Sequence, residues 1–294
     1  MGNSEVRDQS VRSARLNEAF ERLSSTLPLA RSPISVPKPD FHSVLLTGST
    51  GYIGSYILAS LLQDETVNHI YCLHRGLNGA ARQKTSFTEK GIPITSSFDL
   101  KVEFCSVNLY EKKLGLNDTA YDKLTDTVDM VIHNAWSVNY AFSLKSFEES
   151  DLLGLRNIVD LCLQSKHRPR LHFISSITTV AHWPQYYDAP LTERIVHDAR
   201  LPIPIGYAES KYVAELFLEK AVEQSGLQCS IIRPSQIAGP TTIRGIWNPN
   251  DVVPILVSTS INLGVFPYHA TDRLLIDWVP MVRRHGPIIF VLTS

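Results

Sequence analysis

From Ser43 onward the chain alternates short apolar runs with stretches of helical spacing. Val44-Leu45-Leu46-Thr47-Gly48 closes an apolar run on glycine, the pattern of a strand covered on both faces. Similar runs follow at 69–73 (HIYCL), 102–107 (VEFCSV), 128–133 (VDMVIH), 171–176 (LHFISS) and 229–234 (CSIIRP). Between them, 52–62, 147–164 and 207–224 carry apolar residues at the period of an amphipathic helix. Strands alternating with helices of this length build βαβ units, which predicts an α/β protein with a doubly wound parallel sheet. Residues 77–100 and 181–206, rich in Pro, Gly, Ser and Thr, read as long loops. In open sheets the ligand lies beyond the carboxyl ends of the strands, where such loops sit. Residues 1–40 are polar, with one amphipathic stretch (Leu16, Phe20, Leu23) followed by Pro28, Pro33, Pro37 and Pro39. That pattern predicts a helical turn or two and then a flexible linker.

Composition narrows the function classes. With 28 Lys+Arg against 29 Asp+Glu in 294 residues, and no basic stripe, the chain lacks the electrostatic footprint of a nucleic-acid-binding protein. No apolar run approaches the ~18 residues of a membrane span, and the first ten residues hold no signal-peptide core. Cys72, Cys105, Cys162 and Cys229 are too scattered for a zinc pattern or a secreted disulfide framework. The histidines, among them His69, His172 and His197, show no metal spacing either. A cytoplasmic protein with no metal, no membrane and no nucleic-acid partner is expected. Nothing in the pattern reveals the oligomeric state.

The first strand runs into Thr47-Gly48-Ser49-Thr50-Gly51-Tyr52-Ile53-Gly54 and then a helix. Gly48 permits a tight turn, Gly51 lets the backbone approach a pyrophosphate, and Gly54 lets the helix pack closely, while the helix N-terminus offers free N–H groups to the anion. The spacing is G-x-x-G-x-x-G, and its place between a first strand and a first helix predicts a bound dinucleotide. An NAD site usually carries an acid near the end of the second strand; here that strand ends His74-Arg75-Gly76. A guanidinium pairs with a 2′-phosphate that a carboxylate would repel, so Arg75, helped by Arg82, points to NADPH.

Tyr207 and Lys211, at i and i+4, fall on one face of the third helix. A phenol near pKa ~10 exchanges protons poorly at neutral pH. A neighbouring ammonium would lower that value, making the two an acid/base pair with Lys211 free to hold the nicotinamide ribose. The preceding strand ends Ser175-Ser176, and Ser176, over Ser175 or Thr178, is the candidate to bond a substrate oxygen. Asn134-Ala135 closes the fourth strand, where a small residue leaves room for adenine and ribose. Arg233-Pro234-Ser235-Gln236-Ile237 closes the sixth, near the expected nicotinamide.

Together TGSTGYIG, Asn134-Ala135, Ser176 and YAESK resemble the extended short-chain dehydrogenase/reductase superfamily. VIHNAWSVNY, RPSQIAGP, and GIWNPNDVVPILVSTSINLGVFP followed by IDWVP are similar to the terminal thioester reductase domain of fungal nonribosomal-peptide-synthetase-like enzymes and carboxylic acid reductases. The resemblance spans about residues 41–281. It implies that NADPH reduces an acyl thioester held on the phosphopantetheine arm of a carrier domain. Ser176 and Tyr207 would bond the thioester oxygen, Tyr207 would give its proton, and Lys211 would hold the ribose. A hemithioacetal would then collapse to an aldehyde, which some relatives reduce again to an alcohol. The cofactor set would be Gly48, Thr50, Gly51, Tyr52, Ile53, Gly54, Arg75, Arg82, Asn108, Leu109, Asn134, Ala135, Tyr207, Lys211, Ser235 and Ile237. Asn108 departs from the family, which often places an acid beside the adenine.

The expected organisation is therefore a linker-like segment at 1–40, a Rossmann-like NADP-binding domain at 41–235, and a partial, truncated substrate-binding region at 236–294. After DWVP the family continues through further helices, whereas this chain turns to MVRRHGPIIFVLTS. The acyl and carrier-docking surface is expected to be incomplete. A nucleotide-sugar epimerase or dehydratase of the same superfamily remains an alternative that Arg75 disfavours. A fatty acyl-CoA reductase, usually longer at its C-terminus and membrane-associated, is another. A catalytically incomplete NADP-binding fragment is the remaining one.

Overall fold

Alternation along each strand sends successive side chains to opposite faces of a sheet, and here it creates two cores. Leu45, Tyr71, Leu73, Val131, Leu171 and Phe173 enter one. Val44, Leu46, Ile70, Cys72, Met130 and Ile132 enter the other. The strands are β1 (His42–Thr47), β2 (Val67–His74), β3 (Val102–Ser106), β4 (Met130–His133), β5 (Arg170–Ile174) and β6 (Cys229–Ile232). They form one sheet in the order β3-β2-β1-β4-β5-β6, every neighbouring pair parallel. This is the predicted doubly wound α/β architecture, seen in a computed structural model that describes residues 3–30, 41–241, 245–267, 278–283 and 286–287.

The strand order reverses between β1 and β4, which opens a crevice at their carboxyl ends. Around the sheet lie α1 (Asn3–Ser24), α2 (Tyr52–Gln63), α3 (Gly79–Glu89), α4 (Ser96–Lys101), α5 (Asp118–Thr127), α6 (Leu144–Phe147), α7 (Leu153–Gln164), α8 (Trp183–Tyr186) and α9 (Gly206–Ser225). Helix α2 packs Ile57, Leu58 and Leu61 on the second core; α7 and α9 bury Leu155, Ile158, Val213 and Phe217 in the first. Farther on, β7 (Ile237–Ala238) pairs in parallel with β8 (Val279–Pro280), and α10 (Val252–Leu263) buries none of its residues.

Three elements differ from expectation. The amphipathic stretch near the N-terminus is a 22-residue helix, not a turn or two. Leu16 and Ala19 are fully buried, because α1 lies on α9 and completes the first core. The rest of the expected linker, 31–40, falls outside the described residues. Residues 77–100 are not a long loop: they hold α3 and α4, anchored by buried Phe87 and Phe98. The helix expected over 147–164 is broken by a wide π turn at Glu148–Leu152 that turns Asp151 inward.

Candidate active site

Thr47 ends β1 at the crevice, and its Oγ1 accepts the N–H groups of Asn134 (3.1 Å) and Ala135 (3.0 Å). Its own proton therefore goes to His133 Nδ1, 2.9 Å away. That fixes His133 as the neutral tautomer protonated on Nε2, and burial holds its pKa down at about 3. The glycine turn is built on this base. Gly48 sits at φ 70°, and a Cβ there would press on the backbone of Ala135. A Cβ on Gly54 would overlap the Gly48 carbonyl, so Gly54 serves contact between helix and turn. Asn134 Nδ2 donates to that same carbonyl at 3.2 Å. Gly51 precedes α2 without any side-chain cap, leaving the first-turn N–H groups available to an anion.

A cleft of about 570 Å³ opens over this turn. It is lined by Gly48, Thr50, Gly51, Tyr52, Ile53, Arg75, Arg82, Leu109, Asn134, Ala135, Ser176, Tyr207, Lys211, Ser235 and Ile237. An uncapped helix start, a turn with no room for a Cβ and a cleft of this size fit a dinucleotide. Two expected cofactor residues do not line it. Gly54 lies beneath the turn, and Asn108 gives its Nδ2 to Glu111 Oε1 at 2.7 Å because the chain tightens there into a turn. Arg82 Nη1 donates to the Arg75 carbonyl at 2.8 Å, bracing the end of β2.

The two serines after β5 part company. Ser175 Oγ donates to Glu215, which is buried and also bound by the Arg233 guanidinium. Arg233 is thereby spent on structure. Ser176 Oγ instead accepts the N–H and O–H of Thr178, at 3.2 and 2.9 Å, which leaves its own proton for the Tyr207 hydroxyl at the cleft. Gly206 begins α9 where a Cβ would overlap the Phe142 carbonyl, so the helix start seats directly on that backbone and carries Tyr207 with it. The Tyr207 ring meets Tyr140 edge-on at 5.6 Å.

The expected lowering of the Tyr207 pKa by Lys211 is absent. Burial pushes the phenol up to about 12, opposed by its hydrogen bond with Ser176. The reason is the place of Lys211. Its Nζ donates to the Ile174 carbonyl at 2.6 Å and lies over the rings of Trp136 (4.0 Å) and Phe173 (4.5 Å). Burial also drives the lysine well below its ordinary value, against the pull of Asp151 and Glu215. At neutral pH the phenol is a proton donor.

Sequence reasoning missed Trp136, Asp151 and Glu215. Asp151 lines the cleft and accepts the Ser137 N–H at 2.7 Å. Only the π turn brings it there, and no local pattern announces that turn. Among the described residues no His/Cys/Asp/Glu group is placed to hold a metal, and no helix is long and apolar enough to cross a membrane.

The chain is similar to several known proteins. An NAD-binding family model described as "Male sterility protein" matches residues 46–282. The adenylate-forming reductase Nps11 of Serpula lacrymans var. lacrymans is 39% identical over 92% of this chain and 25% of its own length. A carboxylic acid reductase of Neurospora crassa is 35% identical over 89% of this chain and 24% of its own. The chain thus spans about a quarter of these relatives. The terminal R domain from the myxalamid PKS-NRPS biosynthetic pathway superposes with a TM-score of 0.75 at 24% identity, covering 91% of this chain and 66% of that one. It shares the fold. On the strength of the match across its sheet and cleft, the chain belongs to the NAD-binding male sterility protein family, together with reductases of the adenylate-forming and carboxylic acid reductase type.

Proposed function

We propose that this protein reduces an acyl thioester, carried on the phosphopantetheine arm of a carrier domain, to an aldehyde at the expense of NADPH. The observation that carries the reading is the pair of hydroxyls at the cleft: Ser176 and Tyr207, hydrogen-bonded to each other, with Tyr207 held protonated by burial. Both can donate to one carbonyl oxygen and stabilise the negative charge that develops there. The bound nicotinamide supplies the hydride. Tyr207 gives its proton to the oxygen, and a tetrahedral hemithioacetal releases aldehyde and thiol. The turn at Gly48–Gly54 and the uncapped start of α2 would hold the pyrophosphate. Arg75 would face the 2′-phosphate and Lys211 the nicotinamide ribose. The carrier is inferred from the relatives, which are about four times longer than the match and named for adenylate-forming and reductive steps.

The test is to incubate the purified protein with NADPH and acyl-phosphopantetheine thioesters, following loss of reduced cofactor and resolving aldehyde from alcohol. Thioester-dependent NADPH oxidation with stoichiometric aldehyde is expected. Cofactor binding without turnover on any thioester would reduce the protein to a cofactor-binding unit.

A further inference from the structure

An ammonium has three protons to place, and burial without acceptors is costly. Lys211 is 3% exposed, and among the described residues its one hydrogen bond is to the Ile174 carbonyl. Among the described residues no carboxylate lies within ion-pair distance of it; Asp151 and Glu215 act from farther away. Beside the cleft that it lines, the charge is flanked by aromatic faces, Trp136 at 4.0 Å and Phe173 at 4.5 Å. Such faces attract a desolvated cation electrostatically.

Trp136 is itself held from three sides. Its Nε1–H donates to Ser210 Oγ at 3.2 Å, and Ser210 Oγ donates to the Tyr207 carbonyl at 2.8 Å. The indole packs edge-on against Phe173 at 5.4 Å and His133 at 6.2 Å. One rigid side chain therefore touches the lysine's charge and, through a single hydroxyl, the backbone of the tyrosine.

We propose that Trp136 is a positioning residue: with Phe173 it forms an aromatic seat that keeps the Lys211 ammonium charged and fixed at the end of β5. The proposal rests on the reading that Lys211 works with Tyr207 in the reduction. The seat opposes desolvation, the effect of burial that lowers the lysine's pKa. The groups facing Lys211 are the Ile174 carbonyl, Asp151 from the π turn, Glu215 from α9 and His133 from β4. The last is neutral across the working range and cannot mimic a lysine titration.

Two measurements test it. In the cofactor-free protein, the emission of Trp136 is isolated as the difference between wild type and Trp136→Phe, and followed with pH. A step in that difference is expected as Lys211 titrates, and it must vanish in a Lys211→Met background. Persistence of the step there, or its absence in wild type, overturns the proposal. In turnover, Trp136→Leu is expected to move the alkaline limb of the kcat profile down by about one pH unit, because the charged lysine is lost sooner. Trp136→Phe, which keeps a ring face, moves it less. A limb unmoved in Trp136→Leu also overturns the proposal. If wild type turns over no thioester, the proposed activity fails while the emission measurement still decides the seat. The emission test needs only Trp136→Phe and Lys211→Met, so it stands even if Trp136→Leu does not fold.

Discussion

Arg12 Nε lies 2.7 Å from Glu209 Oε1, and the same arginine donates through Nη2 to the Pro202 carbonyl, also at 2.7 Å. Arg15 adds contacts to both Glu209 oxygens. Glu209 stands between Tyr207 and Lys211 on α9 and is 3% exposed, so α1 grips the helix that carries both at its first turn. Replacing both arginines by alanine strands a buried carboxylate and should cost about 3–5 kcal/mol in urea unfolding. Replacing all three side chains by leucine or methionine should recover most of that loss, since the ion pairs offset their own desolvation. Equal stability of the Arg12→Ala/Arg15→Ala protein and wild type would show that α1 is only loosely attached.

This contact also marks where sequence reasoning stopped. The six strands were legible because each is an apolar run closed by a turn residue, and the glycine turn because its position between strand and helix carries the mechanism. The Tyr207/Lys211 spacing was legible too, but not the direction of Lys211, which depends on Trp136 and Phe173 arriving from β4 and β5. Helix α1 was foreshortened because its surface is dominated by charges, and only the tertiary contact shows that Arg12 and Arg15 reach Glu209 on α9. Asn108 was drawn to the cofactor by analogy, while the local turn with Glu111 claims its side chain.

Tyr207→Phe removes the proton donor and keeps the ring contacts with Tyr140 and Phe147. Turnover is expected to fall at least about 100-fold, the scale of lost general acid catalysis. The dissociation constant for NADPH should stay within about twofold, since in the proposed reaction the lost hydroxyl serves the substrate oxygen. Measurable activity at near wild-type kcat would remove Tyr207 from the chemistry.

Arg75 reaches the cleft at the end of β2, and its side chain is exposed. Arg75→Ala should weaken NADPH binding about tenfold, within the range of one charge-assisted hydrogen bond, and leave NADH binding nearly unchanged. Titrating both cofactors by calorimetry distinguishes this from general damage, which would weaken the two alike. Arg82→Ala should have a smaller effect with the same sign, because Arg82 acts partly by bracing the Arg75 carbonyl.

Acid stability should be governed by two buried histidines. Burial lowers His133 to about 3 and His172 to about 4, and both ring nitrogens of His172 lack a hydrogen-bond partner among the described residues. Below the ordinary histidine value of ~6.5 the unfolded chain binds protons that the folded chain refuses, so the free energy of unfolding falls as pH falls. Each such group contributes a slope of up to about 1.4 kcal/mol per pH unit until its folded pKa is reached. Between about pH 7 and about pH 5, His172 alone should cost about 2 kcal/mol. His172→Phe keeps the ring and removes the titration, so its stability should fall less than that of wild type by about this amount over the same interval. Identical losses in the two proteins, read from urea midpoints at both pH values, would show that His172 accepts its proton without unfolding.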